Sequence, residues 1–254
     1  FHPTTYQNVT VTVSQDNGTT WIVPAVFEGE NEVTMYPSLT SISETGEVGL
    51  AFMRPSNDYP ENYVRIQNIL DQNTYYSMMY SFTDTDDYSE VATTSVHDLF
   101  LVMTISDKTS APAINNCPNL RYLNETLEAP PPIGGFYYDG QSILKTAPAF
   151  NIDIDTGEYY FYLVMEHYNT TTGHREIALK KSVTNMSLLL TPGGGPGGMD
   201  QYADIEAMPW QQYLSKGAYD AKDPNVAASG ENVVVVNMHN DNTYSDWDIE
   251  CWYS

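Results

Sequence analysis

Basic residues are scarce: the 254-residue chain has 10 Lys and Arg against 33 Asp and Glu, a formal net charge of −23. A protein that grips phosphate backbones needs a basic face, so this balance excludes nucleic acid as a partner. The same charge is repelled by anionic lipid surfaces. Long apolar runs are also missing. The longest, such as Tyr159 to Met165, are strand-sized, so direct membrane insertion is not expected. The five histidines, His2, His97, His167, His174 and His239, show neither HExxH nor paired zinc spacing. Only two cysteines occur, Cys117 and Cys251. They can form one disulfide in an oxidising compartment, but Cys251 shares a strand face with Ile249 and Tyr253, which favours a buried free thiol.

What is present is a recurring line. A short run led by Pro or Ser crosses a polar turn, enters a nearly unbroken apolar strand and stops at methionine. Four copies run from Pro37 to Met53, Ser89 to Met103, Pro148 to Met165 and Pro224 to Met238. Self-similarity at intervals of about fifty to seventy residues marks a propeller or solenoid, whose units cannot bury their own faces. In each copy a first strand leads through a tight turn to a second, and in three of them glycine serves that turn, at Glu44-Thr-Gly-Glu47, Asp155-Thr-Gly-Glu158 and Ser229-Gly-Glu231. The second strands are apolar on both faces, as expected of strands sandwiched between neighbouring sheets.

Third strands are expected at Tyr63 to Leu70, Leu120 to Asn124, Arg175 to Val183 and Asp248 to Tyr253. Fourth strands are expected at Thr74 to Thr83, Phe136 to Lys145 and around Met186 to Leu190. Asn8 to Ser14 and Thr20 to Phe27 read as the third and fourth strands of a further, partial unit. Four short strands per unit make a β-propeller blade. The expected fold is an all-β, single-domain β-propeller of four-stranded antiparallel blades over residues 1–254, with four recognisable blades and part of a fifth. Either the incomplete ends close the ring together or the chain is a piece of a longer propeller; Asp248 to Ser254, which aligns with Asn8 to Ser14 and stops where the next turn should begin, favours the piece. Residues 191–220 depart from the repeat. Pro192-Gly-Gly-Gly-Pro-Gly-Gly198 reads as a hinge, and Asp200 to Lys216 as a short helix interrupted by Pro209.

The segment Ser14-Gln-Asp-Asn-Gly-Thr-Thr-Trp21 matches the Ser-x-Asp-x-Gly-x-Thr-Trp turn known as the Asp box, and on these residues the chain resembles the sialidase-like, or BNR-repeat, β-propellers. The motif is structural: the Asp16 carboxylate can bond turn amides, with Ser14 and Thr20 beside it. Gly18 supplies an unusual backbone angle and Trp21 can pack on the blade. The resemblance implies that such turns lie outside the blades, away from any substrate. For a sialidase it would imply an arginine triad, a tyrosine nucleophile paired with Glu, and an aspartate acid/base. Only Arg54, Arg65, Arg121 and Arg175 exist, and Phe52-Met-Arg-Pro55 has the letters of the family's arginine motif in the wrong order. Arg65, Arg121 and Arg175 read as equivalent positions at the starts of successive third strands, not as a converging triad.

Asp84-Thr-Asp-Asp87 and Asn151-Ile-Asp-Ile-Asp-Thr-Gly157 put oxygen ligands at alternating positions that suit Ca²⁺, with Asp84, Asp86, Asp87, Asp153 and Asp155 as ligands. Hairpin geometry accounts for the second set equally well, and no cofactor is required. Sequons occur at Asn8, Asn17, Asn124, Asn169 and Asn185. The chain starts at Phe1, as it would after removal of a secretion signal. Twenty tyrosines and four tryptophans supply both strand packing and platforms for sugar or protein.

Together these features point to a secreted or cell-surface, glycosylated, non-catalytic propeller that binds or scaffolds. Its partner would be a protein or a glycan, or a second copy meeting it through open blade edges. The alternative is a carbohydrate-active glycoside hydrolase of sialidase-like fold, using carboxylates at the propeller axis.

Overall fold

The computed structural model describes residues 9–22, 25–27, 35–41, 46–55, 62–68, 75–78, 87–96, 99–108, 114–123, 142–152, 156–157, 159–184, 212–215, 219–229, 232–240 and 246–254. Among these residues there are strands and no helix. Sheet 1 pairs β1 (Val9–Val11) with β2 (Ala25–Phe27). Sheet 2 holds β3 (Met35–Ser41), β4 (Val48–Pro55), β5 (Asn62–Asn68) and β6 (Tyr75–Met78), and sheet 3 holds β7 (Asp87–Val96), β8 (Leu99–Lys108) and β9 (Ile114–Leu123). Sheet 4 holds β10 (Ser142–Ile152), β11 (Tyr159–Asn169), β12 (His174–Thr184) and β13 (Gln212–Tyr213), and sheet 5 holds β14 (Asp220–Ser229), β15 (Asn232–Asn240) and β16 (Asp248–Tyr253). Every sheet is antiparallel and its strands follow chain order.

The first strands of successive sheets are neighbours: β3 lies against β7, β7 against β10, and β10 against β14. The edge of β7 therefore looks toward β3. The Thr93 N–H donates to Ser38 Oγ at 2.9 Å, the two hydroxyls share a hydrogen bond at 2.9 Å, and Ser95 Oγ donates to the Ser41 carbonyl at 2.6 Å. Sheets that meet through their first strands and stack face to face form the blades of a β-propeller. The four methionine-ended runs fall on β4, β8, β11 and β15, the second strand of each blade, as expected.

Burial explains why those strands carry apolar residues on both faces. In β11, Phe161, Tyr162, Leu163, Val164 and Met165 are all buried. Tyr162 and Val164 pack with Ala147, Ala149 and Ile177 against Ala221, Val226, Val233 and Val235 of sheet 5. Each fully buried side chain of this size contributes roughly 1.5–3 kcal/mol. On sheet 2, Leu50 and Phe52 pack with Val9 and Val11 of β1, so the partial blade covers the other end of the stack. Gly49 lies under the Phe100 ring of β8, where a Cβ would fall 2.3 Å from a ring carbon. Glycine is the residue that lets sheets 2 and 3 approach there.

Each first strand is bulged near its start, between Met35 and Ser38, Tyr88 and Glu90, Ile143 and Lys145, and Lys222 and Asn225. Pro37 and Pro224 sit inside two of these bulges, where a missing N–H costs no ladder bond. The hairpin glycines Gly46 and Gly157 have φ of 72° and 70°.

Several expectations are corrected. The fourth strand of sheet 4 is β13, which pairs with Ala178 and Leu179, so the described end of the expected helix at 200–216 is extended. Its remainder, and the strand expected around Met186 to Leu190, lie outside the described residues. The described part of Phe136 to Lys145 opens β10, the first strand of a blade and not the last of one. No disulfide joins Cys117 to Cys251: the two stand on β9 and β16 of different sheets, and Cys251 is a free thiol that is exposed and not buried.

Candidate functional site

The densest polar cluster among the described residues lies at one rim of sheets 4 and 5, where β11 ends and β12, β10 and β14 begin. Glu166 follows Met165 at the end of the apolar run and is buried. Its Oε2 accepts the Asp223 N–H at 2.9 Å, and its Oε1 accepts from Arg175 Nη1 at 3.3 Å. Asp223 takes a positive φ of 53° in the β14 bulge, which turns its N–H toward sheet 4. Its own carboxylate reaches back to Lys145 Nζ of β10 at 2.9 Å. Burial pushes the Glu166 carboxyl above its ordinary range, opposed by the Asp223 N–H and by the Arg175 charge.

His167 and Glu176 sit beside this group, both buried, with Nε2 and Oε2 3.8 Å apart. Burial holds the imidazole below its ordinary pKa, and the nearby Glu176 opposes that shift. Glu176 Oε1 accepts from Asn169 Nδ2 at 3.0 Å and from Thr172 Oγ1 at 3.1 Å. Asn169 Oδ1 in turn accepts the Thr171 and Thr172 N–H groups, and Gly173, with φ 74°, closes the turn onto the Asn169 carbonyl at 2.8 Å. Asp220 Oδ1 accepts the Arg175 N–H at 2.9 Å and lies 3.7 Å from His174 Nδ1. Two buried carboxylates thus fix a hairpin and a bulge.

Above this frame the rim is aromatic. Tyr168 and Tyr219 are exposed, the Tyr219 ring meets His239 edge-on at 5.1 Å between centroids, and Lys222 Nζ sits 4.0 Å over the Trp247 ring. Rings held in this way by a neighbouring cation and imidazole offer flat faces without having to be ordered first.

The turn from Ser14 to Trp21, expected to be an Asp box, is closed by hydrogen bonds. Asp16 Oδ1 accepts the Thr20 N–H at 2.7 Å and the Ser14 hydroxyl at 2.9 Å, and Oδ2 accepts the Thr20 hydroxyl at 2.6 Å. Ser14 Oγ accepts the Gly18 N–H at 2.8 Å, and Gly18 has φ 84°. These bonds, those from Thr20 foremost, lower the Asp16 pKa to about 2. Trp21 departs from expectation: it is 63 % exposed and does not pack into the blade. The turn joins β1 to β2 of sheet 1.

Other expected positions are dispersed. Arg65, Arg121 and Arg175 occupy third strands of successive sheets, opposite Phe52, Val102 and Tyr168. They are not equivalent, because Arg121 stands near the end of β9 and Arg175 near the start of β12. Asn17 is exposed with φ 55° in the Asp-box turn, whereas the Asn169 amide nitrogen points inward to Glu176. Asp87 opens β7. Asn8, Asn124, Asn185, Asp84, Asp86, Asp153 and Asp155 lie outside the described residues. Among the described residues no group of three His, Cys, Asp or Glu is placed to hold a metal ion.

No family model matches the chain, and no curated protein matches it in sequence. Solved structures overlap it loosely. The Bombyx mori GH32 β-fructofuranosidase BmSUC1 is 10 % identical over 87 % of this chain and 45 % of its own, with a TM-score of 0.46. Trypanosoma rangeli sialidase in complex with the inhibitor DANA is 9 % identical over 96 % and 41 %, with a TM-score of 0.42. Zg3597, a family 117 glycoside hydrolase from Zobellia galactanivorans, is 8 % identical over 96 % and 74 %, with a TM-score of 0.46. The chain spans less than half the length of the first two. Likeness at this level touches the fold alone and assigns no activity, substrate or residue to this chain.

Proposed function

We propose that this chain is a secreted or cell-surface propeller that binds without catalysis, and that the aromatic rim of sheets 4 and 5 is its contact surface for a glycan or a protein. The observation that carries the reading is the commitment of the buried carboxylates. Both oxygens of Glu166 accept internal donors, and Glu176 holds the Asn169 turn. Saturated carboxylates that fix backbone are suited to a rigid platform, and Tyr168, Tyr219, His239 and Trp247 stand on that platform. No cofactor is needed for such a role.

The test is a titration with soluble neutral and acidic oligosaccharides, followed by the intrinsic fluorescence of the protein. A saturable change that is lost in Tyr219→Ala, with the thermal transition unchanged, is the expected result. The alternative, a glycoside hydrolase, rests on the one described carboxyl with a raised pKa, Glu166. Release of reducing sugar from the same oligosaccharides, abolished by Glu166→Gln, would replace the binding reading with that one.

A further inference from the structure

The chain contains one Asn-Gly pair, Asn17-Gly18, and it stands in the turn from Ser14 to Trp21. Asn17 has φ 55° and Gly18 has φ 84°. Two consecutive residues in the left-handed region call for glycine and for asparagine, a side chain that enters it at low cost. The turn geometry thus selects a dipeptide with chemistry of its own. The Cγ of an asparagine is open to attack by the backbone nitrogen of the next residue, and a following glycine has no side chain to hinder that nitrogen. Both residues are exposed to the water that such a reaction consumes.

Three successive N–H groups hold the turn in this shape. Gly18 donates to Ser14 Oγ at 2.8 Å, Thr19 to the Asp16 carbonyl at 3.2 Å and Thr20 to Asp16 Oδ1 at 2.7 Å. Ser14 is itself aimed: its hydroxyl donates to Asp16 Oδ1 at 2.9 Å, which leaves its lone pairs for Gly18. Asp16, with its pKa lowered to about 2, stays ionised and keeps that hydroxyl in place. For a ring to close, the Gly18 nitrogen must give up its proton and its peptide plane must swing over the Asn17 side chain. Both movements break the bond to Ser14.

We infer that Asn17-Gly18 is a succinimide-forming modification site that the Ser14 hydroxyl holds latent in the folded chain. When the turn opens, the Gly18 nitrogen bonds to Asn17 Cγ. Its proton passes through water to the leaving amide nitrogen, and the Cγ–Nδ2 bond breaks to release ammonia. Water then opens the cyclic imide at one carbonyl or the other, giving aspartate or isoaspartate in place of Asn17. No oxidant or reductant takes part. Either product sets a new carboxylate beside that of Asp16, and the isoaspartyl linkage lengthens the main chain by a carbon inside the turn. Both products lack the amide that the Asn17-Gly18-Thr19 sequon needs, so this hydrolysis removes Asn17 as a glycan acceptor.

Mass-spectrometric peptide mapping of the whole unglycosylated chain, after timed incubation in mildly alkaline buffer with and without guanidinium chloride, tests this. Conversion at Asn17 is expected to be about tenfold faster in the unfolded chain than in the folded one, and about fivefold faster in folded Ser14→Ala than in folded wild type, the factor that one net hydrogen bond supplies. Ser14→Thr, which keeps the hydroxyl, should stay slow. Far-ultraviolet circular dichroism identifies the folded samples, and the wild-type comparison requires no variant to fold. Equal rates in folded and unfolded wild type would overturn the latency. An unfolded chain that leaves Asn17 intact would overturn the site itself, and a folded Ser14→Ala no faster than wild type would remove Ser14 from it. The inference does not depend on the rim, so glycan titration and conversion at Asn17 can fail separately.

Discussion

Glu166 of β11 accepts the backbone N–H of Asp223 in the β14 bulge at 2.9 Å, and so ties the second strand of one blade to the first strand of the next. The bond spans the interface that the apolar cluster of Ala147, Tyr162, Val164, Ala221 and Val235 fills. Hydrophobic burial supplies most of the adhesion there, and the carboxylate fixes how the bulge sits.

Removing that acceptor leaves a half-buried N–H and a guanidinium without their partner, at a cost of about 1 kcal/mol. Glu166→Ala is expected to lose about that much in urea unfolding, and Glu166→Gln, which keeps an acceptor oxygen, less. The pH dependence separates charge from shape. Burial raises the folded pKa of Glu166 above its ordinary value, so the folded state takes up the proton first. Its contribution therefore improves as pH falls through the folded pKa toward 4.5. The stability of wild type relative to Glu166→Gln should rise on going from pH 7 to pH 4.5.

His167, the next residue, should slope the other way. Burial lowers its folded pKa below 6.5, so the unfolded chain binds protons that the folded one refuses, and stability is lost as pH falls below 6.5. In His167→Gln this acid loss should disappear. Urea midpoints at pH 7.5, 6.5 and 5.5 measure it.

At the other end of the chain, Asp16 should keep its turn closed deep into acid. With the folded pKa at about 2 against an ordinary 3.8, the contribution of the carboxylate is full above 3.8 and is lost as pH falls through about 2. The Thr20 amide, hydrogen-bonded to Asp16 at 2.7 Å, should keep its chemical shift down to pH 3 and change below it. In Asp16→Asn the shift should be independent of pH.

Gly49→Ala should destabilise by about 1–3 kcal/mol, the usual cost of an overpacked core, because the new methyl group would meet the fully buried Phe100 ring. Phe100→Leu in the Gly49→Ala background should recover part of the loss, and the coupling in the double-mutant cycle measures the contact.

Blade order was legible because the signal is local: an apolar run buried on both faces needs neighbours on both sides, and Tyr159 to Met165 says so in seven letters. The turn at Ser14 to Trp21 is local as well, since its bonds close within seven residues. The rim was not. Glu166 and Asp223 are far apart in sequence, and what joins them is a bulge with a positive φ at a non-glycine residue, which no local pattern announces. An acidic residue directly after an apolar strand was the one available hint. Trp21 was misread because a motif fixes its own turn but not what lies beyond it. Cys251 was misread because alternation gives a shared face without saying whether anything covers it. β13 went unread because it follows a long insertion and its described part is two residues long.

The account rests on first strands that face one another around an axis. Ser38 and Thr93, whose hydroxyl oxygens are 2.9 Å apart on β3 and β7, test it most directly. With Cys117 and Cys251 replaced by serine, Ser38→Cys with Thr93→Cys should oxidise within one chain. Non-reducing electrophoresis should show a faster monomer, and peptide mapping a disulfide between the two introduced thiols. Thiols that stay reduced in the folded protein, or that bridge only between chains, would contradict the arrangement.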